Sequence, residues 1–124
     1  MIGSIAGNAG SYWLATYSAA KSYNQILMEA LWAELKPRGV DVLAFPIGAT
    51  DTPSRKRSGT GNIDEMPVAD PADIAQQALD QLPHGPVYVS PENFEYFRSL
   101  YVMPRREAAE LQRDQLVRML PAPR

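Results

Sequence analysis

The sequence predicts an α/β fold in which helices cover a parallel sheet. One observation is a run of good helix formers over residues 16–36, without proline or glycine. Another is the mostly apolar run 40–45, which follows that helix after a tight turn. Such a run is typical of a strand buried on both faces, as the strands of parallel sheets are. Together with a strand at 1–4, these elements form one βαβ unit.

The first helix, 16–36, is predicted to begin with Thr16 as its N-cap. The turn Lys36-Pro37-Arg38-Gly39 is expected to end it. Because apolar residues recur at helical spacing, one side of this helix is expected to pack on the core. That side comprises Ala20, Leu27, Leu31 and Leu35, with Ile26 and Ala30 beside them.

The second half of the chain contains a long irregular stretch followed by further helices. Residues 46–70 show no periodicity and are predicted to form a loop. A helix is predicted after that loop, with Asp70 as its cap and Pro71 at its first position. A short strand at 85–89 and helices at 91–101 and 104–120 complete the prediction, with Phe94, Tyr96, Phe97 and Tyr101 packing the helices on the core.

Composition narrows the classes of function. The formal net charge of -2 argues against nucleic-acid binding. The chain has no cysteine and one histidine, His84, which we interpret as a surface residue in a turn, so a thiolate or histidine metal site is not expected. No apolar run approaches the roughly 18 residues of a membrane span, and no signal peptide is visible. A cytoplasmic protein is the resulting expectation.

Tyr17 and Lys21 are the strongest indication of chemistry. Their i, i+4 spacing near a helix start places both side chains on one face. An adjacent ammonium group and the positive end of the helix both favour a phenolate, which can exchange a proton with a hydroxyl or carbonyl group. Ser4, in the loop before the helix, could hydrogen-bond the same oxygen. This trio suits proton transfer coupled to hydride transfer with a nicotinamide.

The segment Ser4-Ile5-Ala6-Gly7, followed by Tyr17-Ser-Ala-Ala-Lys21, resembles the catalytic segment of the short-chain dehydrogenase/reductase family. The resemblance includes the thirteen-residue spacing from serine to tyrosine. It implies that Ser4 orients the substrate, that Tyr17 is the general acid/base, and that Lys21 also contacts the nicotinamide ribose. The implied cofactor is NADP or NAD, and the implied substrate is a small-molecule alcohol or ketone.

A second segment, Pro46-Ile47-Gly48-Ala49-Thr50-Asp51-Thr52, is similar to the family's Pro-Gly-x-x-x-Thr segment, which wraps the nicotinamide. Gly48 and Thr52 match, and Ile47 stands where proline is usual. By resemblance, Thr50 offers its backbone to the carboxamide. The implied cofactor-binding residues are therefore Tyr17, Lys21, Gly48, Thr50 and Thr52.

The resemblance also has implications for the substrate and for assembly. The family lines its substrate pocket with the loop between serine and tyrosine, which here contains Tyr12 and Trp13. Residues 53–70 would form a lid over the substrate. The helix 16–36 resembles the one that family members bury between subunits, and Tyr23 and Trp32 lie on its outer side. A homo-oligomer is expected.

The resemblance covers roughly residues 1–90 and implies the C-terminal part of a Rossmann-like doubly wound parallel sheet. Residues 1–124 would then be the C-terminal half of a single NAD(P)-binding domain. The family's glycine-rich turn, Gly-x-x-x-Gly-x-Gly, does not occur in the sequence. The chain alone is therefore expected to be incomplete and inactive, and the choice between NAD and NADP stays open.

Two other functions are compatible with the same residues. One is a non-catalytic interaction module that binds a partner through the exposed face of helix 16–36. The other is the extended branch of the family, the sugar-nucleotide epimerases and dehydratases, which also use Tyr-x-x-x-Lys. The segment from Gly48 to Thr52 and the short C-terminal part favour the dehydrogenase over the extended branch.

Overall fold

The computed structural model describes residues 1–57 and 68–119. Its centre is a parallel pair of short strands, β1 (Ile2–Ser4) and β2 (Phe45–Ile47). Ile2 lies opposite Phe45, and Ser4 lies opposite Ile47. Helices surround this pair, so the predicted α/β class with a parallel sheet is confirmed.

The positions of two strands differ from prediction. The ladder of β2 with β1 begins at Phe45, and just before it Leu43 bonds to Met1 while Ala44 pairs on the other side. The run 40–45 is therefore mostly outside the strand. The strand predicted at 85–89 is reduced to an isolated parallel bridge between Ala44 and Val87.

Helix α1 (Ala15–Leu35) contains the predicted tyrosine and lysine. Thr16 is not its N-cap, because the helix already begins at Ala15, and Leu14 takes the cap position without a side-chain hydrogen bond. At the other end a 3-10 turn, Lys36–Arg38, leads to Gly39. Gly39 has a φ of 74°, a left-handed conformation that favours glycine, so the predicted helix stop is confirmed.

The predicted core face of α1 is wrong. The buried residues of this helix are the polar Ser18 and Gln25, whereas Ile26 is 58% exposed. The reason is that α1 packs mainly against the 3-10 helix Ile5–Gly7 and bonds to Tyr101 of α4 through the buried Gln25. Among the other expected core positions, Ala20 and Ala30 are exposed and Leu27, Leu31 and Leu35 are half-buried.

Within the described residues, four further α-helices follow: α2 (Pro53–Arg57), α3 (Pro71–Gln81), α4 (Pro91–Val102) and α5 (Arg105–Met119). The last three confirm the predicted helices. The Asp70 carboxylate caps α3 by accepting a 2.7 Å hydrogen bond from the backbone N–H of Ala72. The predicted loop 46–70 contains α2, and most of the predicted lid, 58–67, lies outside the described residues.

The main hydrophobic cluster joins the start of the chain to its last two helices. Ile5 and Ala9 come from the segment after β1, and Leu100 and Ala108 come from α4 and α5. Partly buried side chains surround these four residues: Tyr96, Phe97, Met103 and Leu111. The predicted packing of Tyr96 and Phe97 is thus confirmed, whereas Phe94 and Tyr101 remain about half exposed.

An apolar groove runs along β1 and α3. It has a volume of about 370 Å³, and Leu79 of α3 is 67% exposed within it. Within the described residues, β1 has a strand neighbour on one side only. The groove is lined by Met1, Ile2, Leu43, Phe45, Ala75, Ala78, Leu79 and Leu82.

Candidate functional site

The two strands of the sheet end side by side. Because β1 and β2 are parallel and Ser4 lies opposite Ile47, both carboxyl ends meet at the same edge. Gly48 directly follows Ile47, so it lies at that edge as well. In open α/β sheets, ligands bind at the carboxyl ends of the strands. The edge formed by Ser4 and Gly48 is therefore the candidate site.

Tyr17 and Lys21 lie together at the start of α1. The Nζ atom of Lys21 is 5.5 Å from the centroid of the Tyr17 ring. The Tyr17 side chain is 44% exposed, so a ligand can reach it. A cation at this distance from an aromatic face interacts favourably with it. The pair thus combines an accessible phenol with an adjacent positive charge.

Ser4 is held by local structure. Its Oγ atom accepts a hydrogen bond of 3.3 Å from the backbone N–H of Ala6 and caps the 3-10 helix Ile5–Gly7. A serine hydroxyl that accepts one hydrogen bond can still donate its own proton. Ser4 therefore has a fixed local geometry and keeps a donor for a second oxygen.

Gly7 allows the segment after Ser4 to approach α1 closely. A Cβ atom added at Gly7 would lie 2.8 Å from the backbone N of Ser22 and 2.9 Å from the carbonyl carbon of Lys21. Backbone atoms cannot move aside as a flexible side chain can. Glycine at this position therefore sets how closely residues 4–9, called the serine loop below, approach the helix turn that carries Lys21.

We expect Gly7→Ala to destabilise the protein by about 1–3 kcal/mol, because the new methyl group forces two backbone segments apart. The matched control is Gly10→Ala, where an added Cβ would meet no atom within 4 Å. Urea unfolding of both variants measures the difference in free energy of unfolding. Equal effects of the two substitutions would contradict the close approach.

The Gly48 segment is held by a parallel backbone bridge to Ala69 and by two threonine hydroxyls. Thr50 is buried and its Oγ1 donates to the carbonyl of Gly48 at 3.3 Å. The Oγ1 of Thr52 accepts from the backbone N–H of Arg55 at 3.2 Å, at the start of α2. The two threonine hydroxyls thus shape the turn, while the Ala49 carbonyl and the Asp51 N–H are paired with the backbone of Ala69 at 3.0 Å.

Asn93 is a neighbour of this segment that no sequence pattern predicts. A Cβ atom added at Gly48 would lie 2.8 Å from the Oδ1 of Asn93, in the first turn of α4. Asn93 is held in place by donating from Nδ2 to the Oγ of the buried Ser90 at 3.0 Å. The pair Ser90-Pro91 indicates a helix start in the sequence, but nothing there places that helix beside Gly48.

Tyr12 and Trp13 stack on each other, with ring centroids 4.7 Å apart. Trp13 has a φ of 60°, an uncommon left-handed conformation for a large side chain. Both rings line a cavity of about 400 Å³ whose other lining comes from residues 10–15 and from α5. The structure therefore groups the two predicted pocket residues with α5, and the lining does not include Ser4, Tyr17 or Lys21.

Two other tyrosines connect the C-terminal helices to the rest of the molecule. Tyr101 accepts a 2.6 Å hydrogen bond from Nε2 of Gln25 on α1. Burial raises the pKa of Tyr101, and the hydrogen bond from Gln25 partly opposes this. Burial likewise raises the pKa of Tyr96, whose hydroxyl bonds to Gln115. Both phenols stay protonated at neutral pH, which suits a structural role.

Other kinds of site receive no support from the described residues. No helix in ranges 1–57 and 68–119 is long and apolar enough to cross a membrane. In the same ranges, no three histidine, aspartate or glutamate side chains converge as metal ligands do. The carboxyl edge of the sheet and the start of α1 therefore remain the candidate site.

Comparison with known proteins places the chain in a family. Residues 1–62 match the family described as short chain dehydrogenase. This match covers half of the 124 residues, and the chain belongs to the short-chain dehydrogenase family. No curated protein matches the sequence significantly.

A solved structure from a study of 7β-hydroxysteroid dehydrogenase stereoselectivity has a similar fold, with a TM-score of 0.76 at 23% sequence identity. The alignment covers 90% of this chain and 45% of that chain. The protein thus spans less than half the length of this structural relative. The similarity confirms the Rossmann-like fold predicted from the sequence.

Proposed function

We propose that the protein is part of an NAD(P)-dependent oxidoreductase that interconverts an alcohol and a carbonyl compound by hydride transfer. The observation that carries this proposal is the Tyr17–Lys21 pair, with a separation of 5.5 Å between the ammonium nitrogen and the ring centroid. Ser4 lies at the end of the strand before α1, at the carboxyl edge of the sheet. Membership of the short-chain dehydrogenase family supports the same assignment.

The chemistry divides between the cofactor and the chain. When bound, the nicotinamide accepts the hydride that leaves the carbinol carbon. Tyr17, as general acid/base, takes the hydroxyl proton of the alcohol as the carbonyl forms, and returns a proton in the reverse direction. The ammonium of Lys21 lies beside the Tyr17 ring, and the Ser4 hydroxyl donates a hydrogen bond to the reacting oxygen.

The chain's residues fit one half of the cofactor. Lys21 and the backbone from Gly48 through Thr50 to Thr52 suit the nicotinamide and its ribose. The sequence has no Gly-x-x-x-Gly-x-Gly turn for the pyrophosphate. We propose that a glycine-rich half-domain supplies that turn and covers the apolar groove beside β1. The incomplete coverage of the structural relative supports this proposal.

The partners follow from the same assignment. The substrate would be a small-molecule alcohol or ketone. The outer side of α1 exposes 66% of Tyr23 and 58% of Ile26, which favours association of copies through this helix. The same exposed surface is the observation that supports the alternative function, a non-catalytic interaction module.

Titration with NADPH and NADH, followed by nucleotide fluorescence, tests the proposal. We expect Lys21→Ala to weaken nucleotide binding about tenfold, because it removes a charged hydrogen-bond donor. Lys36→Ala is the matched control, since Lys36 lies just beyond the same helix and pairs with Asp41 on the surface. Binding that appears only after a glycine-rich half-domain is added supports a divided cofactor site. Absence of binding in both forms contradicts the proposed function.

A further inference from the structure

The C-terminal helices α4 and α5 lie beyond the part of the chain that matches the family, residues 1–62. They nevertheless provide Leu100 and Ala108 to the main hydrophobic cluster, opposite Ile5 and Ala9. Those two partners belong to the segment between Ser4 and Tyr17. The helices therefore pack directly on the connection between the proposed substrate-orienting serine and the proposed acid/base.

Arg105, the first residue of α5, connects the two parts through one guanidinium group. Its Nη1 donates to the carbonyl of Leu100 and its Nη2 donates to the carbonyl of Asn8, both at 2.9 Å. Asn8 is the C-cap of the 3-10 helix Ile5–Gly7, which Ser4 caps at its other end. Although much of the Arg105 side chain is exposed, its planar fork thus holds two carbonyls at once.

A second contact attaches the same helical pair to α1. Tyr101 follows Leu100 in the chain and accepts the 2.6 Å hydrogen bond from Gln25. Gln25 is buried and lies one helical turn beyond Lys21. The end of α4 and the start of α5 thus contact both the serine loop and α1, the helix that contains Tyr17 and Lys21.

We propose that Arg105 is a positioning residue that fixes the serine loop against α1 by binding the Asn8 carbonyl. Through this bond the C-terminal helices set where Ser4 lies relative to Tyr17. The expected loss of turnover without Arg105 rests on the proposed function, whereas the expected loosening of the serine loop does not.

Hydrogen exchange of individual amides in the 124-residue chain tests the effect on the loop. Arg105→Ala is expected to speed exchange at Ala6 and Asn8 about tenfold, because their hydrogen bonds lie within the released 3-10 helix. The amide of Ile74, bonded to the Asp70 carbonyl at the start of α3, should exchange as before. The matched control is Arg98→Ala, which removes an exposed arginine of α4 that pairs with Glu95.

Two conservative variants separate positioning from general stability. Arg105→Lys keeps the charge but lacks the fork, so we expect loop exchange to stay faster than in the wild type. Arg105→Gln preserves most of the side-chain length without the charge and provides the same test if the alanine variant does not fold. An equal rise in exchange at Ile74 and in the loop, or an unchanged loop, would overturn the proposal.

Measurement of kcat and KM tests whether the position of the serine loop affects the reaction. In the form of the protein that turns over, Arg105→Ala should lower kcat about tenfold with little change in KM, because substrate binding is kept while orientation is lost. A rise in KM alone would overturn the positioning role. If the wild-type protein neither binds nucleotide nor turns over, the proposed function fails, and the exchange measurement still decides the role of Arg105.

Discussion

Tyr17→Phe is expected to lower turnover by about 10²- to 10⁴-fold, the range over which a positioned general acid or base contributes to a rate. The substitution removes one hydroxyl group and keeps the ring beneath the Lys21 ammonium, where the nitrogen-to-centroid distance is 5.5 Å. The packing of α1 and the charge of Lys21 are thereby retained. A loss of rate can then be assigned to the missing proton donor and acceptor.

The measurement is nucleotide-dependent oxidation of secondary alcohols, followed by NADPH or NADH absorbance, with the isolated chain or the completed domain. Tyr23→Phe is the matched control, because Tyr23 lies on the same helix and is 66% exposed. Similar rates for Tyr17→Phe and the wild type would refute the acid/base role. If Tyr17→Phe also leaves partner binding unchanged, the interaction module becomes the better explanation.

Leu100→Ala is expected to reduce the free energy of unfolding by about 2–5 kcal/mol. Leu100 is fully buried, and its side chain lies where α4 and α5 meet the segment after β1. Removal of three carbon atoms there leaves a cavity that the surrounding helices fill only in part. Because the cluster includes Ile5 and Ala9, the same change should loosen the serine loop.

Urea unfolding, followed by circular dichroism, measures this loss. The control is Leu79→Ala, since Leu79 is 67% exposed and its truncation should change stability by less than about 0.5 kcal/mol. Comparable losses for the two leucines would show that the cluster around Leu100 does not dominate the stability of the protein.

The sequence was sufficient to predict most local features of the fold, although Leu14 and not Thr16 is the N-cap of α1. Helix formers without proline or glycine predicted α1, and the pair Asp70-Pro71 marked where α3 begins. Gly39 ended the first helix as predicted, because a left-handed residue follows its last turn. These features depend on neighbours within a few residues, and the proximity of Tyr17 and Lys21 belongs to the same class.

Features that depend on distant contacts were not predictable in this way. Hydrophobic periodicity assigned Ile26 to the core, but the helix instead buries Gln25, which bonds to Tyr101, 76 positions further along the chain. Strand β2 begins where its partner β1 allows pairing, which no local pattern encodes. The placement of Asn93 beside Gly48 and of α5 beside Trp13 likewise results from tertiary packing.

The bond between Arg105 and the Asn8 carbonyl joins residues 97 positions apart, which has a consequence for the order of events during synthesis. A ribosome makes Ser4, Tyr17 and Lys21 long before it makes α5. Until α5 emerges, the serine loop lacks both Arg105 and the Ala108 contact of the hydrophobic cluster. Contacts between such distant positions form slowly, because a long stretch of chain must be closed to make them. The segment after Ser4 therefore acquires its bond to Arg105 only after the last helix has been translated, so a chain that stops before α5 keeps the family's motifs without this contact.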